Sequence, residues 1–320
     1  MKRFVFLIIQ LSVYVSLHAQ AVSRLQLVAH HPQKSFPEQV PAGDFSGITP
    51  ISQNLYAVVD DKRGDGFYVF RIDFDAAGDI LSVRNLGFRG DSQPGRDAEG
   101  IVYYPPQKTV FISGEQDNEV AEYRLDGQPT GRKLNAAHLF TNARPNRGLE
   151  ALAYNPQTHR FWTTTECPLQ GDSLFVLCSF NEQFQPVDKV EYAMDAPLAE
   201  EFGGTHIHGI SEMTALDDGS LLILEREAFI PEEKFGAWAV CKLYQFTLGA
   251  NAQKHLVHEW KTDISLFHQD FANYEGMCLG PRLEDGSQVI ILTADSQHRY
   301  MDVLSDWFKT IVVSSKEERR

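Results

Sequence analysis

The chain has 320 residues, 43% of them apolar, and a formal net charge of −14. That apolar share excludes a disordered chain, and the acidic balance argues against a nucleic-acid partner, whose phosphates require Lys and Arg. An acidic surface suits cation binding as well as plain solubility.

Met1-Lys2-Arg3 precedes an apolar run from Phe4 to Leu17, too short to span a bilayer. Residues 1–20 therefore read as a signal peptide, with Ala19-Gln20-Ala21 at the cleavage site, and a secreted or periplasmic location is expected. No cysteine lies near enough for a lipid anchor. Loss of Lys2 and Arg3 takes the charge from −14 to −16. No later stretch approaches the length of a membrane span. Residues 21–320 are expected to form one domain, since large all-β folds commonly run this long.

The first strand-like segment is Leu25–Ala29. After it a short motif recurs five times: Phe45-Ser46-Gly47-Ile48, Ala98-Glu99-Gly100-Ile101, Leu149-Glu150-Ala151-Leu152, Ser211-Glu212-Met213-Thr214 and Tyr274-Glu275-Gly276-Met277. Aligned on Ser46, Glu99, Glu150, Glu212 and Glu275, the spacings are 53, 51, 62 and 63. Each motif opens an apolar run, then a turn, then a β-rich segment ending in acid at Asp61, Glu115, Glu166, Glu225 and Asp295. Third segments with period-2 alternation follow at 67–74, 119–125, 174–180 and 242–246, and fourth ones at 80–83, 189–192 and 255–258. The fifth unit ends near Lys309–Val313 without a fourth segment. No long amphipathic helix is evident; Asp263–Asn273 has room for a short helical turn.

Four antiparallel strands repeated at a period near 50 residues predict an all-β fold, a β-propeller. Five repeats are clear, and the long spacers 167–211 and 226–274 leave a sixth blade open. Leu25–Ala29 is expected to complete the last blade and close the ring. A two-sheet sandwich does not explain the repeat.

In a propeller the first strand of each blade lines the axis, and the second returns antiparallel to the same mouth. Glu99, Glu150, Glu212 and Glu275 are thus expected to converge as catalytic candidates, with Ser46 in the fifth place. Asp61, Glu115, Glu166, Glu225 and Asp295 form a second ring suited to a metal. So many like charges need balance. Hard cations, Ca²⁺ or Mg²⁺, supply one answer; Arg63, Arg96, Arg147 and Arg226, each near a ring acid, supply another. Glutamates bonded to backbone amides between blades are the structural alternative.

Phe45-Ser46-Gly47-Ile48 with Asp60-Asp61, Asp97-Ala98-Glu99-Gly100-Ile101, Asn146–Glu150 with Thr165-Glu166, and Asn273–Met277 together resemble the phytase-like family of secreted bacterial propellers. The resemblance covers roughly residues 40–300. It implies a propeller and hydrolysis of phosphate or carboxyl esters, with calcium. It departs locally, with Glu166-Cys167-Pro168-Leu169 where the family tends to have Glu-Gly-Pro-Leu. The calcium and phosphate residues of the alkaline β-propeller phytases find no residue-by-residue match.

Other patterns weigh less. Gly171-Asp172-Ser173-Leu174 spells an esterase tetrapeptide in the wrong chain position, and there is no Gly-x-Ser-x-Gly elbow. Ser46 is a nucleophile only if a base such as His208 approaches it. His206 and His208 share one face if they lie on a strand, suiting a metal or a general base; otherwise they are a solvated loop pair. An oxidising compartment permits a Cys167–Cys178 bridge. Trp162, Trp238, Trp260 and Trp307 read as core rather than sugar platforms.

The expectation is an ester hydrolase, a monomer acting on a small anionic or ester substrate. Glu150 is the base among Glu99, Glu150, Glu212 and Glu275, and Arg147, Arg63, Arg226 and His208 bind substrate. The alternatives are a non-enzymatic binding module for a ligand, glycan or protein partner, and a calcium-dependent lactonase-type propeller.

Overall fold

Twenty strands make five four-stranded antiparallel sheets in the computed structural model, which describes residues 24–91, 95–198, 203–233, 235–249, 252–266 and 268–316. The expected signal peptide, residues 1–20, lies outside the described residues. β1 (Arg24–His30) precedes the first blade, β2 (Phe45–Ser52), β3 (Leu55–Asp60), β4 (Gly66–Phe74) and β5 (Ile80–Gly90). The second is β6 (Ala98–Tyr104), β7 (Thr109–Gly114), β8 (Glu119–Arg124) and β9 (Pro129–Lys133). The third is β10 (Leu149–Asn155), β11 (Arg160–Thr165), β12 (Phe175–Phe180) and β13 (Pro186–Tyr192). The fourth is β14 (Gly204–Ala215), β15 (Leu221–Pro231), β16 (Trp238–Thr247) and β17 (Gln253–Asp263). The fifth is β18 (Asn273–Arg282), β19 (Gln288–Asp295) and β20 (Phe308–Lys316), completed by β1.

β1 runs antiparallel to β20, with Leu25 opposite Ser315, Leu27 opposite Val313 and His30 opposite Ile311. The expected closure by the N-terminal segment is what the fold uses. The first strands β2, β6, β10, β14 and β18 touch in that order, and β18 returns to β2. The described residues form five blades. The long spacers hold the extended strands and loops of blades three and four rather than a sixth sheet. Asp263–Asn273 carries an Ile264–Gln269 bridge in place of the helical turn.

Alternation on the middle strands gives each blade two apolar faces. Leu221 and Ile223 of β15 pack with Trp162, Leu177 and Tyr192 of the third blade. Leu222 and Leu224, pointing the other way, pack with Met277, Ile290 and Leu292 of the fifth. Similar cores join the other neighbours. A strand buried on both faces reads as a continuous apolar run, as in Val289–Leu292, all fully buried. The outermost strands are wetter: only Tyr192 of β13 is buried. Trp162 and Trp260 are buried core residues. All four cysteines are free, and Cys178 lies in the core between the second and third blades, which sets aside the Cys167–Cys178 bridge.

The glycine after the motif glutamate has a packing cause. A Cβ on Gly100 would lie 2.6 Å from the Glu150 carbonyl oxygen, and one on Gly276 2.1 Å from that of Ser46. Neighbouring first strands approach too closely for a side chain there. Gly100→Ala is therefore expected to cost about 3 kcal/mol through overpacking. Gly203→Ala, which meets open space, should stay within about 0.5 kcal/mol. Urea denaturation of both variants checks the pair; equal stabilities would contradict this packing.

Candidate functional site: the acidic mouth

Strand register defines two rings at one end of the axis. In each blade the two inner strands are interrupted by a bulge, and the pair just before it is Phe45↔Asp60, Ala98↔Gly114, Leu149↔Thr165, Ile210↔Glu225 or Tyr274↔Ala294. The next residue on the first strand is Ser46, Glu99, Glu150, Ser211 or Glu275. The next on the second strand is Asp61, Glu115, Glu166, Arg226 or Asp295. The fourth blade is thus one residue out of the alignment expected from sequence. Ser211 takes the place assigned to Glu212, and Arg226 takes the place assigned to Glu225.

That slip separates the candidates. Glu212 lies one step beyond the ring, where its Oε1 accepts the backbone N–H groups of Leu152 and Met213, each at 2.9 Å. It ties the third blade to the fourth, the structural role that glutamates of this kind can also play. Glu225 turns into the crevice between those blades. There it accepts the Tyr192 hydroxyl at 2.6 Å and pairs with Lys254.

Arg226 is the hub of the mouth. Only 2% of its side chain is exposed; Nη2 lies 2.8 Å from Glu166 Oε1, and Nη1 reaches Glu275 Oε1 and, at 2.8 Å, Asn273 Oδ1. Burial opposes its charge, but Glu275, Glu166 and Glu150 outweigh it and hold the guanidinium pKa above normal. Arg147 caps Glu166 from the solvent side at 2.5 Å and is 35% exposed.

The acids are not fully balanced. Burial, then the charges of Glu275 and Asp61, raises the Glu99 carboxyl well above its usual range. Burial, then Glu99, Glu166 and Glu275, does the same to Glu150. Glu275 and Asp295 are raised too, burial first. Asp61 is pushed up to about 7, chiefly by burial with Glu275 and Asp44 adding to it, and Asp60 to about 6 by burial and Asp44.

Three carboxylate groups bring ligand atoms within 4.8 Å of one another: Asp44, Asp60 and Asp61; Asp61, Asp97 and Glu99; and Glu115, Glu150 and Glu166. Lys62 already bridges Asp61 and Asp97 in the second, and Arg147 and Arg226 hold Glu166 in the third. In the first, His298 covers Asp44 at 2.9 Å, while Asp60 Oδ1 and Asp61 Oδ1 are buried without a hydrogen-bond partner. Two orphaned carboxylate oxygens beside a third acid are the donor set a hard cation takes. Asp44 escaped sequence reasoning because it precedes the motif; of the aligned units only the second has an acid, Asp97, at the same place.

The remaining candidates sit elsewhere. Arg63 packs over the rings of Phe88 and Tyr68, 4.4 and 5.0 Å from their centroids, and donates to the Tyr68 hydroxyl. Arg96 is held by Asp117 at 2.6 Å. His206 and His208 lie on strand β14, not a loop, with near-parallel rings 6.2 Å apart; His206 pairs with Glu227 at 2.9 Å. His208 lines the crevice with Asp195, Glu225 and Lys242. Burial lowers its pKa, and its charged neighbours are Glu227, His206 and Glu225 rather than the ring acids. Ser46 donates to Glu275 at 3.4 Å and so lacks the histidine partner a nucleophile needs. Gly171–Ser173 is an exposed turn.

Fold and mouth together define a five-bladed propeller with a carboxylate-rich axial opening. The chain belongs to the phytase-like family, described by esterase-like activity of phytase, which matches residues 40–297. No curated protein sequence is close enough to match. Among solved structures, it is similar to a protein of unknown function from Bacteroides thetaiotaomicron, at 10% identity over 88% of this chain and 72% of that one, with a TM-score of 0.40. It is also similar to the periplasmic gluconolactonase of Pseudomonas aeruginosa, at 13% identity over 81% and 67%, TM-score 0.36. A chain of a nidogen/laminin complex aligns at 11% identity over 83% and 84%, TM-score 0.39. Likenesses this distant carry no functional argument. Among the described residues no helix is long and apolar enough to cross a membrane.

Proposed function

We propose that the mouth is a cation-dependent site hydrolysing phosphate or carboxyl esters. The observation that carries this reading is the buried, unpartnered pair Asp60 Oδ1 and Asp61 Oδ1 beside Asp44, in a chain whose family is described by esterase-like activity. Asp44, Asp60 and Asp61 would hold Ca²⁺ or Mg²⁺. A bound cation of this kind polarises the phosphoryl or carbonyl oxygen and acidifies water. Glu150, buried and high in pKa, takes the proton of the attacking water. Arg147, with its exposed flank, pairs with the anionic part of the substrate. Arg226 has its terminal nitrogens committed to Glu166, Glu275 and Asn273, so it positions carboxylates rather than substrate.

After chelation, adding millimolar Ca²⁺ is expected to raise the melting temperature, by about 2.7 kcal/mol of added stability at one hundred times its Kd. It should also restore phosphate release from phytate or nitrophenol release from an aryl ester. Glu150→Gln should lower turnover about 10²- to 10⁴-fold, and Asp60→Asn should remove the Ca²⁺ response. The ion pairs that tie Glu166 and Glu275 to Arg226 favour a second reading, a non-enzymatic binding module. An unchanged melting temperature in Ca²⁺, Mg²⁺ and chelator, with no turnover, selects it.

A further inference from the structure

Beside the acidic mouth lies a hollow of about 380 Å³ lined mainly by Ile230, Ala237, Ile264, Phe271, Met301 and Leu304. It caps a small apolar cluster separate from the cores between blades, built on Ala228, Ala237, Ala239 and Phe271. Three of its walls lead directly into the mouth. Phe271 is two residues from Asn273, which accepts from Arg226. Gln297, also in the lining, donates its backbone N–H to Asp295 Oδ1 at 2.6 Å. Ile230 lies four residues beyond Arg226 on β15, roughly 13 Å along an extended strand. The rim is apolar as well: Met301 is 73% exposed and Val303 45%.

A half-open, mainly apolar hollow of this size, with polar groups only from Glu233, Gln297 and Tyr300, has the character of a small-molecule site. Its continuity with a polar, charged mouth determines what shape of ligand it suits. We infer that this hollow binds the apolar arm, an aryl ring or a medium acyl chain, of an ester whose polar end occupies the acidic mouth. The choice of an ester rests on the hydrolase reading of the mouth; the binding of an apolar arm does not. The preferred substrate is therefore amphiphilic.

The test uses the full chain and two variants, Val303→Arg at the rim and Ala237→Trp in the floor. The probe is 1-anilinonaphthalene-8-sulfonate, followed by fluorescence and displaced by hexanoate or acetate in Ca²⁺. Each buried methylene is worth a few-fold in affinity, so hexanoate is expected to displace the probe at least tenfold better than acetate. Both variants should lose probe binding and that preference. With 4-nitrophenyl esters, both should lose at least tenfold in kcat/KM on the hexanoate and keep the acetate rate within about twofold. Equal displacement by the two acids, probe binding that survives in both variants, or an unchanged hexanoate-to-acetate ratio in kcat/KM overturns the inference. Absence of turnover on either ester defeats the hydrolase reading alone, because displacement involves no chemistry and still decides the hollow.

Discussion

Replacing Arg226 by leucine is expected to destabilise the protein by about 3–5 kcal/mol near neutral pH, the usual result of breaking a buried ion pair from one side. The guanidinium is almost fully buried and bonds Glu166, Glu275 and Asn273. Its removal leaves Glu275 without a cation and Glu166 with only the half-buried Arg147, both near Glu99 and Glu150. Arg226→Lys keeps the charge but cannot fork between two carboxylates, so a smaller loss is expected. Glu166→Gln should recover part of the Arg226→Leu loss, since one of the stranded charges is gone; two contacting residues are not additive. Urea denaturation of the four proteins measures this. A loss below about 1 kcal/mol for Arg226→Leu would show that water or ions already balance the mouth.

The second large effect is the pH dependence of stability without divalent cations. Asp60 and Asp61 are raised to about 6 and 7, and Glu99, Glu150 and Asp295 are raised as well. A carboxyl with a raised folded pKa holds a proton that the unfolded chain has released. Its contribution is complete below the unfolded value near 4 and is lost as pH rises through the folded value. Histidines act oppositely: burial lowers His30 to about 4 and lowers His208 and His258. They make stability rise with pH up to the unfolded histidine value of about 6.5. Between pH 6.5 and 8 the several carboxylates outweigh the opposing Lys309, which burial lowers to about 8, so in chelator the melting temperature is expected to fall by several degrees. Ca²⁺ competes with those protons, so its stabilisation should grow over the same window. Asp61→Asn should flatten both slopes. A melting temperature that rises from pH 6.5 to 8 in chelator would mean that the mouth carboxylates ionise without strain.

Much of this architecture is legible in the amino-acid sequence. The recurring Glu-Gly motif, the alternating segments and the missing last strand together implied a propeller closed by Leu25–Ala29. Each of these is local or periodic. Period-2 alternation reports two faces, a fixed spacing reports equivalent units, and an incomplete unit calls for a partner strand. Convergence of Glu99, Glu150 and Glu275, with Asp61, Glu115, Glu166 and Asp295 behind them, followed from the same symmetry.

The fourth blade shows where such reasoning stops. Aligning Glu212 with Glu150 was natural, because both are glutamates opening a strand. Yet the bulge leaves Ser211 at the ring and turns Glu212 toward the backbone of the third blade. A one-residue slip reverses every side chain on a strand; it sends Glu225 outward and Arg226 to the centre. The local signal is a single glycine: Gly209 precedes Ser211 as Gly148 precedes Glu150, each against the carbonyl oxygen of the previous blade's ring acid. Arg63 likewise stands near an acid in sequence but finds two aromatic rings from other parts of its own blade. The sequence by itself determined the repeat, the strand order and the excess of acid at one mouth, because these depend on composition and period. Only the tertiary structure decided which residue of each motif faces the axis and which cation answers it. That choice depends on how closely neighbouring backbones pack, as at Gly100 and Gly276, and such distances exist only once the blades are assembled.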